Sequence, residues 1–246
     1  MDPFKPLLIG NGRLAKHLTH YLLLKGIPHL HWPNAREFDF HFDALLAEAS
    51  CVWILVSDQG VPSVYTGVAE RARAAALSYF HSSAAFSDPR LTTLHPLQTF
   101  GPELYSLEAY QAMIFTLIRE EQNRGQVQKN LLLAALGNQT QLISEDDRTL
   151  YHAYCSMIAN FPQILWSAIF SEMKNHGHFN ADTFLPLLSQ SVSNFLSLGP
   201  SALTGPLVRG DQATVKKHLV ALNSGPFSDL YQNFVELYST FSKGKK

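Results

Sequence analysis

The sequence has few cysteines and almost no excess charge. Only two cysteines occur in 246 residues, and Cys51 and Cys155 lie in apolar runs far apart in the chain. This favours buried thiols in a reducing, cytoplasmic compartment over a disulfide framework. The formal net charge is −1, and the only basic run covers residues 243–246, which we interpret as a solvated tail. We therefore expect no nucleic-acid partner.

Long apolar runs and several catalytic motifs are also missing. No stretch of about 18 residues is apolar enough to span a bilayer, and no charged leader precedes an apolar core, so we expect neither membrane insertion nor export. The eleven histidines form no H-x-x-x-H pair with a nearby acid, and there is no G-x-S-x-G elbow. These absences argue against a metal site and against a serine nucleophile.

The first half of the chain alternates short apolar runs with amphipathic segments, as βαβ units do. This alternation predicts an α/β domain with a Rossmann-type doubly wound sheet. We expect helices over residues 13–25, from Asp58 to about 76, and over 123–136. The predicted strands cover residues 4–9, 27–31, 52–56, 77–82, 91–100, 113–118 and 142–143.

The second half of the chain is predicted to be all-helical. Residues 145–176 fit one long helix that Pro162 should kink, because proline lacks an N–H group and clashes with the preceding turn. Its apolar composition on all sides predicts a buried element. Further helices fit residues 181–198, 212–222 and 227–242. We place the domain boundary near residue 144, with a dinucleotide domain over 1–144 and a helical domain over 145–246.

The clearest motif follows the first predicted strand and opens the first predicted helix. It has the form G-x-G-x-x-A and would bind a dinucleotide through residues Gly10, Asn11, Gly12, Arg13, Leu14 and Ala15. In this fold the first glycine makes the turn, the second admits the pyrophosphate, and the small third residue lets helix and strand pack closely. The phosphates then meet free N–H groups at the helix N-terminus. The alternative is a Rossmann turn that binds nothing.

The choice of cofactor should be visible after the second strand, where NAD sites usually have an acid and NADP sites a basic residue. Residues 31–36 contain no acid, and Asn34 and Arg36 could bind a 2′-phosphate, so we expect NADP rather than NAD. Arg36 could equally be a solvated loop arginine. Ser57, Asp58 and Ser82 follow later strands and complete the expected cofactor site.

Several segments resemble the Rossmann-like proteins whose C-terminal domain is DUF2520. They are residues 10–15, 82–83, 95–100, 152–160 and 203–211 with 218–219, and the T-G-P-x-x-R-G-D element is the most specific. The family is similar to the 6-phosphogluconate dehydrogenase and pyrroline-5-carboxylate reductase group. The resemblance implies an NAD(P) domain, a helical domain that often builds a homodimer, and a reductase-type architecture. Candidates for a buried homodimer face are Tyr231, Phe234, Tyr238 and Phe241, although packing within the chain would explain these four residues too.

Candidate reaction groups come from both halves of the chain. His95 follows a strand and should lie at the ligand-binding edge, where imidazole could exchange a proton; a turn histidine is the alternative. On the long helix a polar stripe contains His152, Ser156 and Asn160 at i, i+4 and i+8. It could face a cavity, solvent or another helix. Asp211 should cap the helix that follows it.

These residues lead to two hypotheses. The first is an NAD(P)-dependent oxidoreductase that acts on a carbonyl or imine of a small molecule, with or without an acidic group, in the cleft between the domains. His95, Asn160 and His152 would be catalytic, and Ser156, Thr204 and Arg209 would bind substrate, with the arginine either holding an anion or pairing with a nearby acid. The second is a sensor or assembly protein that binds the dinucleotide without turnover.

Overall fold

A computed structural model describes residues 4–72, 77–118, 126–176, 180–223 and 225–243. Seven strands form one sheet in the order β2-β1-β3-β4-β5-β6-β7. All neighbouring pairs are parallel except β5 and β6, which are antiparallel. The strands are β1 (Pro6–Ile9), β2 (Leu30–Trp32), β3 (Cys51–Ile54), β4 (Ser78–His81), β5 (Thr92–Leu97), β6 (Ile114–Ile118) and β7 (Thr140–Ile143). The predicted α/β class with a Rossmann-type sheet and a helical C-terminal part is confirmed.

The α-helices of the described residues are α1 (Arg13–Leu24), α2 (Phe40–Glu48), α3 (Val61–Arg71), α4 (Leu107–Gln111), α5 (Gln126–Leu136), α6 (Arg148–His176), α7 (Leu185–Leu198), α8 (Pro206–Arg209), α9 (Gln212–Ala221) and α10 (Pro226–Lys243). Short 3-10 turns at Asp58–Gly60 and Ala181–Phe184 precede α3 and α7. The sequence analysis assigned no helix to α2 or α4. Asp39 caps α2 by accepting the N–H groups of His41 and Phe42, and Ser106 caps α4.

The core of the sheet lies on both of its faces, because side chains alternate along each strand. Leu8 and Trp53 pack on the face that α1 and α5 cover, whereas Leu7, Ile9 and Val52 pack on the face of α2 and α3. All of β1 and β3 is buried. A strand covered on both faces must be continuously apolar, which explains why these two were the clearest strands in the sequence.

The chain forms two compact units, Met1–Trp166 and Ser167–Lys246. The first contains the sheet, and the elements described in the second are all helical. The division falls inside α6, which continues through Pro162 as one helix. The boundary that we expect near residue 144 lies earlier, between β7 and α6, and stays a prediction.

The prediction that α6 is a buried helix is wrong for the single chain. Tyr154, Met157, Phe161 and Ile164 are each more than half exposed. By contrast, Arg148 at the start of α6 is 4% exposed. The composition of α6 indicated that the helix needs an apolar environment. Composition does not show whether other residues of the same chain provide that environment.

Candidate functional site

The bend after β1 requires glycine at position 10. Gly10 has φ of +137°, and a Cβ atom there would lie 2.2 Å from the carbonyl oxygen of Leu55. The Gly10 N–H donates to the Trp32 carbonyl at 3.0 Å, and its own carbonyl oxygen lies 2.8 Å from Nε2 of His31. Gly10 thus lets β1 and the end of β3 approach closely, as the first glycine of a dinucleotide fingerprint does.

Helix α1 begins immediately after this bend without a side-chain cap. Gly12 precedes it in an extended conformation, with φ of −70° and ψ of 177°, and the first turn contains no acidic residue. The first N–H groups of a helix have no partner within the helix and attract anions. A Cβ atom on Gly12 would meet nothing within 4 Å among the described residues, so the space above these amides is open.

A cavity of about 410 Å³ lies over these amides. It is lined by Gly10, Asn11, Gly12, Arg13, Leu14, Ala35, Leu55, Val56 and Ser57. The cavity therefore lies between the carboxyl ends of β1 and β3, where the strand order changes direction. Ligands of doubly wound sheets bind at this position.

The structure brings most of the predicted fingerprint to this cavity. The five residues 10–14 line it, together with Ser57, whereas Ala15 is fully buried and packs against the core that includes Leu8. This matches the packing role of the third small residue. Asp58 begins the 3-10 turn that follows β3. Whether these residues bind a cofactor stays a prediction.

In the loop after β2, the side chain of Asn34 is hydrogen-bonded, whereas the side chain of Arg36 is exposed. The Asn34 side chain accepts the backbone N–H of Arg36 at 3.2 Å and donates to Oε2 of Glu37 at 3.3 Å. Its amide is therefore occupied in a local turn. The Arg36 side chain is exposed and has no hydrogen bond or ion pair among the described residues. Ala35, the residue before Arg36, lines the cavity. Arg36 is therefore the side chain of this loop that can bring a positive charge to a ligand in the cavity.

Two buried polar side chains lie at the end of β4. Ser82 is 7% exposed, and its Oγ accepts the Nε1–H of Trp53 at 2.9 Å. His81 is fully buried, with Nε2 2.9 Å from Oγ1 of Thr93. Burial, followed by the charge of Arg148, lowers the pKa of His81 to about 4. Both side chains therefore hydrogen-bond to residues of neighbouring strands, Trp53 of β3 and Thr93 of β5.

Arg148 attaches the start of α6 to the loop after β4. Its guanidinium binds the carboxylate of Glu145 at 2.8 Å, donates to Oγ1 of Thr93 at 3.1 Å, and donates to the carbonyl oxygens of Ala84 and Phe86. A buried charge is tolerated only with such partners. The sequence analysis did not single out this residue.

His95 lies on β5 and contacts two residues that the sequence analysis missed. Its Nδ1 is 2.8 Å from the hydroxyl oxygen of Tyr151, and this hydroxyl donates to Oγ1 of Thr116 at 2.9 Å. Burial, followed by the neighbouring His152, lowers the pKa of His95 to about 4. His95 is therefore neutral at physiological pH.

The stripe on α6 is only partly buried. His152 and Ser156 are half-buried and Asn160 is exposed. In the second unit, Thr204 and Arg209 are exposed. The predicted cap is confirmed, because Asp211 accepts the N–H of Thr214 at 3.0 Å. The hydrogen bonds from Thr214, together with a smaller effect of Arg209, lower the pKa of Asp211.

The described ranges contain no group of three or more His, Cys, Asp or Glu side chains that could hold a metal ion. None of their helices combines the length and the apolar character that a membrane span needs.

Comparisons with known proteins place the chain in a structural context. The family described as "Domain of unknown function (DUF2520)" matches residues 108–243. No curated protein matches the chain. Among solved structures, BF3122 from Bacteroides fragilis has a TM-score of 0.75 at 17% identity, with 96% of this chain and 98% of that one covered.

Two further structures share the fold. TM1727 from Thermotoga maritima has a TM-score of 0.70 at 18% identity and covers 98% of this chain and 99% of its own. Pyrroline carboxylate reductase from Plasmodium falciparum, crystallised with NADP bound, has a TM-score of 0.59 at 12% identity, and 98% of each chain is covered. At these identities the likeness establishes a common fold.

Proposed function

The chain belongs to the DUF2520 family, and from this premise we propose that it is an NADP-dependent oxidoreductase acting on a carbonyl or imine of a small molecule. The observation that carries the proposal is the open cavity over the uncapped N-terminus of α1. Its residues fit a dinucleotide, because the amides supply donors for a pyrophosphate and Gly12 leaves space for close approach.

Arg36 supports NADP over NAD. It is exposed, it has no partner among the described residues, and it follows a residue that lines the cavity. A guanidinium binds phosphate through two parallel hydrogen bonds, which suits the 2′-phosphate of NADP. The reductase from Plasmodium falciparum was crystallised with NADP, which agrees with this choice. Arg13 adds a second positive charge at the cavity.

Nicotinamide supplies hydride chemistry when it is bound, and the protein contributes orientation and control of protons. We propose His95 as the polar group of the reaction site, with Asn160 and His152 as further candidates. Ser156, Thr204 and Arg209 stay candidates for binding substrate. Arg209 would bind an anionic group, and the name of the pyrroline carboxylate reductase describes a substrate with both a cyclic imine and a carboxylate.

A second candidate function is dinucleotide binding without turnover. His95 is neutral at physiological pH, since its pKa is near 4. It therefore has no proton to give as an imidazolium in a reduction. Turnover would then need another proton donor, which keeps a sensor or assembly protein as the alternative.

The test begins with calorimetric titration of the full chain with NADP⁺, NADPH and NAD⁺. We expect NADP⁺ to bind at least tenfold more tightly than NAD⁺, and Arg36→Ala to remove that preference. The matched control is Lys217→Ala, which removes an exposed positive charge from α9 and should leave both affinities unchanged. Absence of binding by all three nucleotides would overturn the proposal.

Turnover is tested by the absorbance of reduced cofactor at fixed enzyme concentration over a panel of carbonyl and imine compounds, with and without carboxylates. Substrate-dependent oxidation of NADPH supports the oxidoreductase. Tight binding without oxidation over the whole panel supports the sensor.

We also propose a homodimer formed through the helical part of the chain. Leu230, Phe234, Leu237 and Phe241 recur on α10 at spacings of four, three and four residues and are each at least 36% exposed. They form one apolar face of the helix, and such a face needs a cover. Of the four residues predicted for this face, Phe234 and Phe241 belong to it, whereas Tyr231 and Tyr238 are half-buried.

Sedimentation velocity tests the dimer. Leu237→Glu should shift the protein from dimer to monomer, whereas Ser239→Glu, on the opposite side of α10, should not. A wild-type protein that stays monomeric at high concentration contradicts the proposal.

The free state of Cys51 and Cys155 supports a reducing compartment, and we propose the cytoplasm.

A further inference from the structure

We propose that Tyr151 is a positioning residue that holds His95 in the tautomer with the proton on Nδ1, so that Nε2 is a hydrogen-bond acceptor. Thr116 completes this arrangement by accepting the hydroxyl hydrogen of Tyr151. Its meaning for catalysis rests on the proposed function, but the tautomer itself can be measured without any ligand.

The arrangement starts from the antiparallel pairing of β5 and β6. His95 and Thr116 are direct cross-strand partners in this pair. Side chains of directly opposed residues lie on the same face of a sheet, close enough to share a third group. Tyr151, in the first turn of α6, brings its hydroxyl to both of them, at 2.8 Å from His95 and 2.9 Å from Thr116.

The direction of the hydrogen bonds determines the tautomer. A tyrosine hydroxyl has one hydrogen to donate. The structure assigns it to Oγ1 of Thr116, and in this direction the hydroxyl oxygen accepts from His95. A neutral imidazole has one N–H, so in this arrangement Nδ1 is protonated and Nε2 has a free lone pair. The opposite direction, in which Thr116 donates to Tyr151 and Tyr151 donates to Nδ1, would put the ring proton on Nε2, and the measurement below distinguishes the two.

The surroundings of His95 agree with a neutral ring. His95 is half-buried, and burial and the neighbouring His152 both disfavour the imidazolium, whereas the more distant charge of Asp58 favours it. Burial, and after it a hydrogen bond to Cys155, raises the pKa of the Tyr151 hydroxyl, which therefore keeps its proton.

The second ring nitrogen is left for a ligand. Nε2 of His95 has no hydrogen-bond partner among the described residues, and it is not one of their fully enclosed polar atoms. This nitrogen therefore keeps some exposed surface. Any group that hydrogen-bonds to this nitrogen must be a donor, such as the N–H of an amine or amide or the O–H of an alcohol. His95 then orients a ligand by accepting a hydrogen bond.

The experiment is a ¹⁵N-detected nuclear magnetic resonance measurement of the histidine rings in the full chain at neutral pH, with His95 assigned by His95→Gln. Protonated and bare ring nitrogens have well-separated shifts. In the wild type we expect the Nδ1-protonated pattern. In Thr116→Val the Tyr151 hydroxyl loses its acceptor and should donate to Nδ1, so the proton should move to Nε2.

Two further variants complete the test. Tyr151→Phe removes the acceptor of Nδ1–H and should give a mixture of tautomers or the Nε2-protonated form. Tyr154→Phe is the matched control, since it removes an exposed hydroxyl from the next turn of the same helix and should leave the His95 pattern unchanged. Backbone amide spectra show whether each variant is folded. If Tyr151→Phe is unfolded, Tyr151→Leu replaces it.

A wild-type ring protonated on Nε2, or an Nδ1-protonated ring that persists in both Tyr151→Phe and Thr116→Val, would overturn the inference. These outcomes are independent of nucleotide binding. Failure to bind any nicotinamide nucleotide while the expected tautomer is observed would refute the proposed function and leave the positioning role of Tyr151 intact.

Discussion

The two glycines of the fingerprint should separate folding from cofactor binding. Both lie in the bend between β1 and α1, and both can be replaced by alanine with the addition of one methyl group. Gly10 faces the end of β3, whereas Gly12 faces open space. We therefore expect Gly10→Ala to damage the fold and Gly12→Ala to damage binding only.

The geometry sets the size of each effect. At Gly10, a φ of +137° is strained for alanine by about 1–2 kcal/mol. The new Cβ atom would also lie 2.2 Å from the Leu55 carbonyl oxygen, so the backbone of one strand must move. Together we expect a loss of roughly 3–5 kcal/mol in the free energy of unfolding. At Gly12 the backbone is extended and uncrowded, and the change should stay within about 1 kcal/mol.

The Cβ atom of Gly12→Ala would enter the space that the pyrophosphate needs. Losing this approach should weaken NADP⁺ binding about tenfold or more, which corresponds to roughly 1.4 kcal/mol. Urea unfolding followed by circular dichroism measures the stability of each variant, and calorimetric titration measures the affinity. The reasoning is refuted if Gly10→Ala is as stable as the wild type, or if Gly12→Ala binds NADP⁺ with unchanged affinity while the wild type binds it.

Three further predictions concern stability. Arg148→Ala leaves the buried carbonyl oxygens of the β4–β5 loop without a donor and should cost about 3–5 kcal/mol in urea unfolding, whereas the exposed Lys217→Ala should cost under about 0.5 kcal/mol. Asn138, between α5 and β7, donates to the carbonyl oxygens of Tyr110 and Met113 at 2.8 Å each, so Asn138→Ala should cost about 2 kcal/mol, and a loss below about 0.5 kcal/mol would contradict the contribution of these hydrogen bonds. The pKa of His81 is about 4 in the native state against 6.5 in the unfolded state, so the unfolded chain binds more protons between these values. The titration of His81 should therefore lower the free energy of unfolding by about 3 kcal/mol as the pH drops from 6.5 to 4. In His81→Gln this part of the pH dependence should be absent.

Much of the fold could be predicted from the sequence because its signals are local. The fully buried strands β1 and β3 are continuous apolar runs, and the turn at Gly10 needs a residue without Cβ. The cap at Asp211 likewise depends on its own side chain and the next three residues. The helices α2 and α4 were missed because each is short, and α2 has only a weak contrast between an apolar and a polar face.

The cavity was predictable in part. The residues of the fingerprint are consecutive, so their joint position at one helix N-terminus follows from the motif. The different states of Asn34 and Arg36 were not predictable, because both residue types can bind a phosphate. Only the folded loop shows that the Asn34 amide is bonded to Glu37 and to the Arg36 backbone, while the Arg36 side chain has no hydrogen bond or ion pair within the described part of the chain.

The sequence by itself determined the Rossmann-type sheet, the glycine bend and the helical second half, since these depend on periodicity and on the conformational limits of single residues. Only the tertiary structure decided the surroundings of His95. Thr116 lies opposite it through an antiparallel strand pair, and Tyr151 reaches it from a helix that begins more than fifty residues later. Such contacts depend on register and on the packing of distant elements, and neither leaves a periodic signal in the chain.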